Sequence, residues 1–306
     1  MEKCALVLVW MLSLNAIVAQ QLESFDLSEE WLNKIEQLAP NKPSVQKNDK
    51  RHILIFSLHT GYQHWTIPHT EAVVKLIAEK SGAFTVDVSN DISKFERKNL
   101  EMYDALVLNN NCSQGEMRDL FWDKLKEDLT MTDAQRIRKA KKLEKNLLKY
   151  VKKGHGLVVM HGGIVMQNKS KAFGEMVGGS FDYHPKQQEI HVKLVDPDHP
   201  LVKGFEGEGF SHVDEPYFFN NAYFDYNFKP LLYLEVDQLV GMKEQPADKI
   251  KYISWVKNHG KGRVFFSSPS HNAQSMENPH LLQFFLDGLQ YATGDLPCDA
   301  TPRGKM

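Results

Sequence analysis

What the chain lacks narrows its identity first. Cysteine is scarce, with 3 in 306 residues, so neither a disulfide framework nor a clustered-cysteine metal site organises the fold. No charge sign dominates: 37 basic residues against 39 acidic ones leave a net charge of −2. Nothing electrostatic therefore points to a nucleic-acid partner or an anionic membrane surface. Internal repeats, low-complexity tracts and a His-Glu-x-x-His motif are missing. No Gly-x-Gly-x-x-Gly follows the first apolar strand and no Gly-rich loop ends in Lys-Ser/Thr, which disfavours nucleotide cofactors.

Long apolar runs are also missing, apart from one over residues 5–18. It follows Met1-Glu2-Lys3 and ends at Ala19 before Gln20-Gln21, the pattern of a secretory signal peptide. The run is too short and too weakly flanked for a stable membrane span. No cysteine follows the expected cut after Ala19, which argues against a lipid anchor. The expectation is a periplasmic or secreted protein that keeps Cys112 and Cys298, whose pairing is left open. With 42% hydrophobic and 25% charged residues, the mature chain has the makeup of a globular protein stabilised by its core.

The organisation reads as a signal peptide over 1–19, a lead-in helix and linker over 20–50, one α/β domain over 51–296 and a tail over 297–306. Apolar runs at 52–58 (HILIFSL), 84–88, 103–108 (YDALVL) and 156–160 read as buried strands, with a helix predicted over 66–79. Strands separated by helices imply right-handed crossovers and a mainly parallel, doubly wound sheet with helices on both faces. Residues 116–153 read as a long basic helical region whose lysines form a solvated face. The later part is mixed, with strands near 189–195, 231–236, 252–256 and 263–267 and a closing helix over 279–292.

Histidine is the unusual component, with 13 in the chain. His64 follows the first strand, His161 the fourth and His271 a late one. In a doubly wound sheet the strand carboxyl ends share one edge, where ligands bind, so these three histidines could converge there. Histidine suits that edge because it exchanges protons near neutral pH and ligates metals. The plainer alternative for each is a packing or solvated role. His184 and the pair Asp214-Glu215 are further candidates, the latter in an aromatic segment with Tyr217 able to line a sugar cleft. Neighbouring side chains on extended backbone point opposite ways, so only one of the two carboxylates is expected to face the cleft. Three histidines and a carboxylate would suit zinc or another divalent ion, although no compact metal motif is present.

The stretch 153–163 (KGHGLVVMHGG) has the shape of a nucleophile elbow: strand, reactive residue, glycine, helix. Here the reactive residue is His161 rather than cysteine or serine. Cys112, in Asn109-Asn110-Asn111-Cys112, lacks an elbow's flanking glycines, so thiol catalysis is not expected.

Taken in order, these motifs resemble the trehalose-utilisation (ThuA-like) family of the class I glutamine amidotransferase-like superfamily. The carriers are Gly61-Tyr62-Gln63-His64 after the first strand, YDALVL at 103–108, KGHGLVVMHG at 153–162 and Gly178-Gly179-Ser180-Phe181 with His184. They continue with DHPLVKGF at 198–205, Asp214-Glu215-Pro216-Tyr217 and GKGRVFF at 260–266 leading to His271. The resemblance covers roughly residues 52–294. Two features depart from the pattern: Ser-Pro-Ser-His stands where Gly-His is usual, and a long basic helical region precedes the fourth strand.

The resemblance implies a flavodoxin-like sheet and the handling of oxidised (3-keto) glycosides rather than a functional glutamine amidotransferase. A 3-keto group acidifies the proton at C2, so a base can remove it and the group at C1 can leave before water adds. The expected partner is a small carbohydrate, with no nucleic acid and with homo-oligomers left open. His64, His161, His271, Asp214 and Glu215 are the expected catalytic residues, the histidines doubling as candidate metal ligands. Tyr62, His184 and Tyr217 are the expected substrate contacts. The alternative is a carbohydrate-binding protein without turnover on a degenerate scaffold.

Overall fold

The computed structural model describes residues 21–243 and 247–304. The expected leader and Cys4 lie outside the described residues. Helix α1 (Glu29–Leu38) is capped by the Ser28 side chain, which accepts from Trp31 N–H, and buries Trp31 and Ile35. Strand β1 (Arg51–Phe56), helix α2 (Ile67–Lys80) and strand β2 (Phe84–Ser89) follow. Then come the single turn α3 (Arg97–Leu100), strand β3 (Ala105–Asn109), helices α4 (Leu120–Leu125) and α5 (Asp133–Lys152), and strand β4 (Gly156–Met160). The second half holds helix α6 (Lys171–Val177), strands β5 (Ser180–Tyr183), β6 (Gln188–Leu194), β7 (Phe210–Asp214) and β8 (Phe218–Asn220), and strand β9 (Lys229–Glu235). Strands β10 (Ile250–His259) and β11 (Gly262–Ser267) lead to helix α7 (Pro279–Thr293).

Nine strands form one sheet in the order β2-β1-β3-β4-β11-β10-β9-β6-β7, with β5 and β8 paired apart. From β2 through β11 all pairings are parallel. These five strands reproduce the 2-1-3-4-5 order of a flavodoxin-like sheet, whose ligand edge lies at the strand carboxyl ends. From β11 to β7 every pairing is antiparallel.

Alternation within the parallel strands builds two cores. Ile53, Ile55, Ala105, Val107, Val158, Met160 and Phe265 face α1, α2 and α7. Leu54, Phe56, Leu106, Leu108, Leu157, Val159, Val264 and Phe266 face α4, α5 and α6. Because both faces are covered, these strands read as continuous apolar runs. The basic region divides in two. Thr132 caps α5 reciprocally with Gln135, and α5 buries Ala140, Leu143, Leu147 and Val151 while Lys141, Lys142, Lys145 and Lys149 face solvent.

The antiparallel extension returns to the site. Four steps across the sheet separate β11 from β7, about 19 Å if the sheet were flat. The three residues from Ser267 to Ser270 reach only about 10 Å, yet Ser270 N–H donates to Asp214 Oδ2 at 3.0 Å. The extension therefore curls until the end of β7 meets the loop after β11. The lead-in and the tail are packed as well. Val45 exchanges backbone hydrogen bonds with the Gln290 side chain, and Arg303 N–H donates to Phe228 O. Among the described residues, no helix is long and apolar enough to cross a membrane.

Candidate functional site

Three consecutive asparagines, from the last residue of β3 onward, tie the strand ends together. Asn109 donates to Ser57 Oγ and Ile67 O, and Asn111 donates to Phe56 O and Leu58 O. The next residue fixes the loop after β1, since Thr60 and Gly61 N–H both donate to Cys112 O. A Cβ at Gly61 would lie 2.4 Å from Ser113 O, so only glycine permits this approach. The loop then delivers His64, which is buried.

Non-glycine residues with left-handed backbone gather on the same edge. Asn110 (φ +53), His161 (φ +43) and Ser270 (φ +128) follow β3, β4 and β11 respectively. Such conformations persist only where surrounding contacts enforce them, and they cluster at ligand sites. At the elbow, Gly162 N–H donates to Asn110 Oδ1 at 3.1 Å. In an elbow hydrolase, the amide after the nucleophile serves the oxyanion; here a side chain occupies it.

His64, His161 and His271 meet at this edge, and Glu215 joins them. One donor atom from each lies within 4.8 Å of all the others, and all four residues are buried. His161 Nδ1 is 2.7 Å from Ser268 O. A carbonyl only accepts, so Nδ1 carries the proton and Nε2 offers its lone pair to the cluster. That nitrogen is 3.3 Å from His271 Nδ1 and 3.4 Å from Glu215 Oε2. His271 Nδ1 is 3.0 Å from the same carboxylate oxygen. Burial alone would raise the Glu215 pKa, but the neighbouring His161 and His271 imidazoles outweigh it and hold the carboxyl well below the usual range. Burial opposes the charged form of His271, yet Glu215 raises its pKa above the ordinary value. His64 is driven well down, first by burial and then by its histidine neighbours. A buried carboxylate with three imidazoles, one fixed by a backbone carbonyl, is a donor set suited to a divalent metal ion.

The remaining expected residues take other places. Asp214 does not enter the cluster: it accepts from Ser270, His271 and Glu215 N–H and lies 3.5 Å from His212 Nδ1. It organises the loop that carries His271, and only Glu215 faces the cavity. Tyr217 is buried with its ring 4.2 Å from that of His161. Tyr62, 62% exposed, rests edge-on against His64 at the rim. His184 is half-exposed, bonded through Nδ1 to Pro185 O, with Nε2 3.6 Å from Glu215 Oε2.

Tyr62, His64, His184, Glu215 and Tyr217 border a cavity of about 280 Å³, whose wall also includes Cys112, Arg118, Val165 and Phe181. A larger hollow of about 460 Å³ lies beside Lys149, Lys153 and His155 at the opposite strand ends and holds none of this chemistry. Cys112 and Cys298 are both free thiols. Burial pushes the Cys112 thiol up to about 12, and it lies 3.7 Å from Gly162 O as a donor, the posture of a packed thiol rather than a nucleophile. Sequence reasoning did not single out Arg118, which has no pattern around it. Period two offered a signal for Glu215, which shares parity with Tyr217.

The fold and site thus define a flavodoxin-like protein with a histidine–carboxylate centre where an amidotransferase elbow would carry its nucleophile. The sequence profile of the trehalose-utilisation (ThuA) family matches residues 52–292, and the chain belongs to that family of carbohydrate metabolism. A solved ThuA-like protein from Parabacteroides merdae ATCC 43184 is similar at 18% identity and TM-score 0.59, covering 84% of this chain and 93% of its own. Another from Bacteroides uniformis ATCC 8492 shows 17% identity and TM-score 0.58 over 79% and 93%. At these identities the likeness is one of fold. Among curated proteins, none matches the chain in sequence.

Proposed function

We propose that the protein cleaves or converts an oxidised (3-keto) glycoside by acid–base chemistry, assisted by a divalent metal such as zinc. The observation that carries this reading is the meeting of His64, His161, His271 and Glu215 at the edge of an aromatic-walled cavity. His64, His161, His271 and Glu215 would hold the ion. When bound, it supplies Lewis-acid polarisation of the kind a keto oxygen requires. His184, half-exposed and with Nε2 on the cavity side of the Pro185 hydrogen bond, takes the C2 proton and exchanges it with solvent. Electrons from the broken C–H bond form the C1–C2 double bond as the C1 group leaves as its alcohol with a proton from solvent. Water then adds its hydroxyl to C1 and a proton to C2. Tyr62, Phe181 and Tyr217 present ring surface to the apolar face of the sugar.

The test is incubation of purified protein with 3-keto-trehalose and with trehalose, before and after chelation. Product from the keto compound alone, lost on chelation and restored by zinc, is expected. Chelator-insensitive turnover removes the metal from the reading. Binding without product in every arm replaces it with a non-catalytic carbohydrate-binding protein.

The reading includes work outside the cytoplasm, periplasmic or secreted, supported by the leader-like run over residues 5–18. Amino-terminal sequencing should find a start near Gln20; an intact Met1 in the cytoplasmic fraction would end that part.

A further inference from the structure

We infer that Arg118 reads a negatively charged group on the substrate, so that the preferred ligand is an acidic sugar. The inference deepens the proposed function and rests on it only for the keto form of that sugar. Arg118 lines the same cavity as His64, His184 and Glu215. Its one hydrogen bond among the described residues runs from Nη1 to Ser113 O at 2.8 Å, and no carboxylate pairs with it. By contrast Arg51, Arg97 and Arg136 each pair with one, namely Asp295, Glu101 and Asp133.

The anchor is rigid. Ser113 is fully buried and its hydroxyl donates to Val165 O at 2.7 Å, while the preceding carbonyl of Cys112 receives two amides of the β1 loop. Arg118 itself holds left-handed backbone at φ +46, a conformation that costs free energy and fixes where its side chain begins. The nearby carboxylates are engaged elsewhere. Asp119 caps Trp122 N–H and accepts from Gln167. Asp123 accepts from Thr60 and Gln114, and Glu215 serves His161 and His271. The cavity therefore holds a fixed guanidinium with donors to spare, the group that binds a carboxylate or phosphate with two parallel hydrogen bonds. At about 280 Å³ the space lies at the small end of ligand pockets, fitting one sugar ring with its charged substituent.

Calorimetry on the full chain decides it, using methyl glucoside, methyl glucuronoside and methyl glucoside 6-phosphate as probes. The wild type should bind an anionic ligand roughly 10- to 100-fold more tightly than the neutral one. The better of the two anions shows whether a carboxylate or a phosphate is read. Arg118→Gln should erase the preference and Arg118→Lys should keep part of it. Equal binding of neutral and anionic ligands, or a preference that survives Arg118→Gln, overturns the inference. If Arg118→Gln does not fold, the wild-type comparison alone decides. The 3-keto forms of the same ligands separate this inference from the proposed function. Turnover without anion preference removes Arg118 and leaves the reaction. Arg118-dependent binding of anions without turnover of any keto form removes the reaction and leaves Arg118.

Discussion

His161 Nε2 lies 3.3 Å from His271 Nδ1 although 110 residues separate them. They meet because β4 and β11 are parallel neighbours in register, with Met160 opposite Ser267, so both chains leave the sheet at the same edge. The lone pair of His161 is aimed there by the bond from its other nitrogen to Ser268 O. Replacing His161 by asparagine keeps a residue that tolerates left-handed backbone and removes the imidazole. Turnover of a 3-keto glycoside should fall by about 100-fold or more through loss of an ion-holding group while the melting temperature stays close to wild type. Full activity in His161→Asn would remove this residue from the chemistry.

Asp214 tests whether the loop after β11 needs its anchor. Its two oxygens receive three backbone amides, and asparagine has one carbonyl oxygen and a donor in place of the second. Asp214→Asn leaves a buried amide facing another donor, at a cost of about 1–3 kcal/mol. It should lower kcat more than it raises KM, since His271 is displaced while the cavity wall remains. Steady-state kinetics with urea unfolding measures both, and unchanged kcat would show that the loop holds itself.

Gly162 is needed for space rather than for its backbone. A Cβ there would lie 2.8 Å from His64 Cε1 and 2.9 Å from Cys112 Sγ, closer than real contacts allow. Gly162→Ala should destabilise the protein by about 1–3 kcal/mol and disturb the His64 ring with it. Denaturant melts and metal titration on the same sample would show both effects; wild-type stability would mean that the elbow gives way freely.

Stability should carry a pH signature from a residue remote from the site. Burial pushes Asp287, on α7, up to about 6, against hydrogen bonds from Ser44 and Gln283 that lower it. Its ordinary value is 3.8, so the folded state holds this proton more tightly than the unfolded chain. The stabilisation is complete below about pH 4 and is lost as pH rises toward 6, amounting to at most about 3 kcal/mol. Asp287→Asn should therefore gain stability over wild type at pH 7.5 and little at pH 4. Urea unfolding at the two pH values checks the difference, and a constant difference would contradict the buried-carboxyl account.

The parallel half of the fold was legible because burial on both faces leaves no alternation to interpret: residues 156–160 are apolar throughout and form β4 as expected. Short half-buried strands were not. Phe210-Ser211-His212-Val213-Asp214 forms β7 with one polar face and no apolar run, and β5 and β8 are shorter still. The helical region expected over 116–153 divides before α5, where Thr132 with Gln135, a capping box in plain sequence, marks the helix start. At the site, the three histidines were legible because each follows a strand of known direction. Arg118 was not, since its place depends on a loop conformation that no periodicity encodes.

The curl of the sheet has a mechanical consequence. Glu215 follows the outermost strand of the antiparallel extension, whereas His64, His161 and His271 leave the parallel half, so the residues of one cluster belong to distant positions along a single ribbon of strands. Anything that bridges Glu215 to the histidines acts as a clasp on that ribbon. Its occupancy should register far from the cavity, as slower amide exchange along β6, β7 and β9.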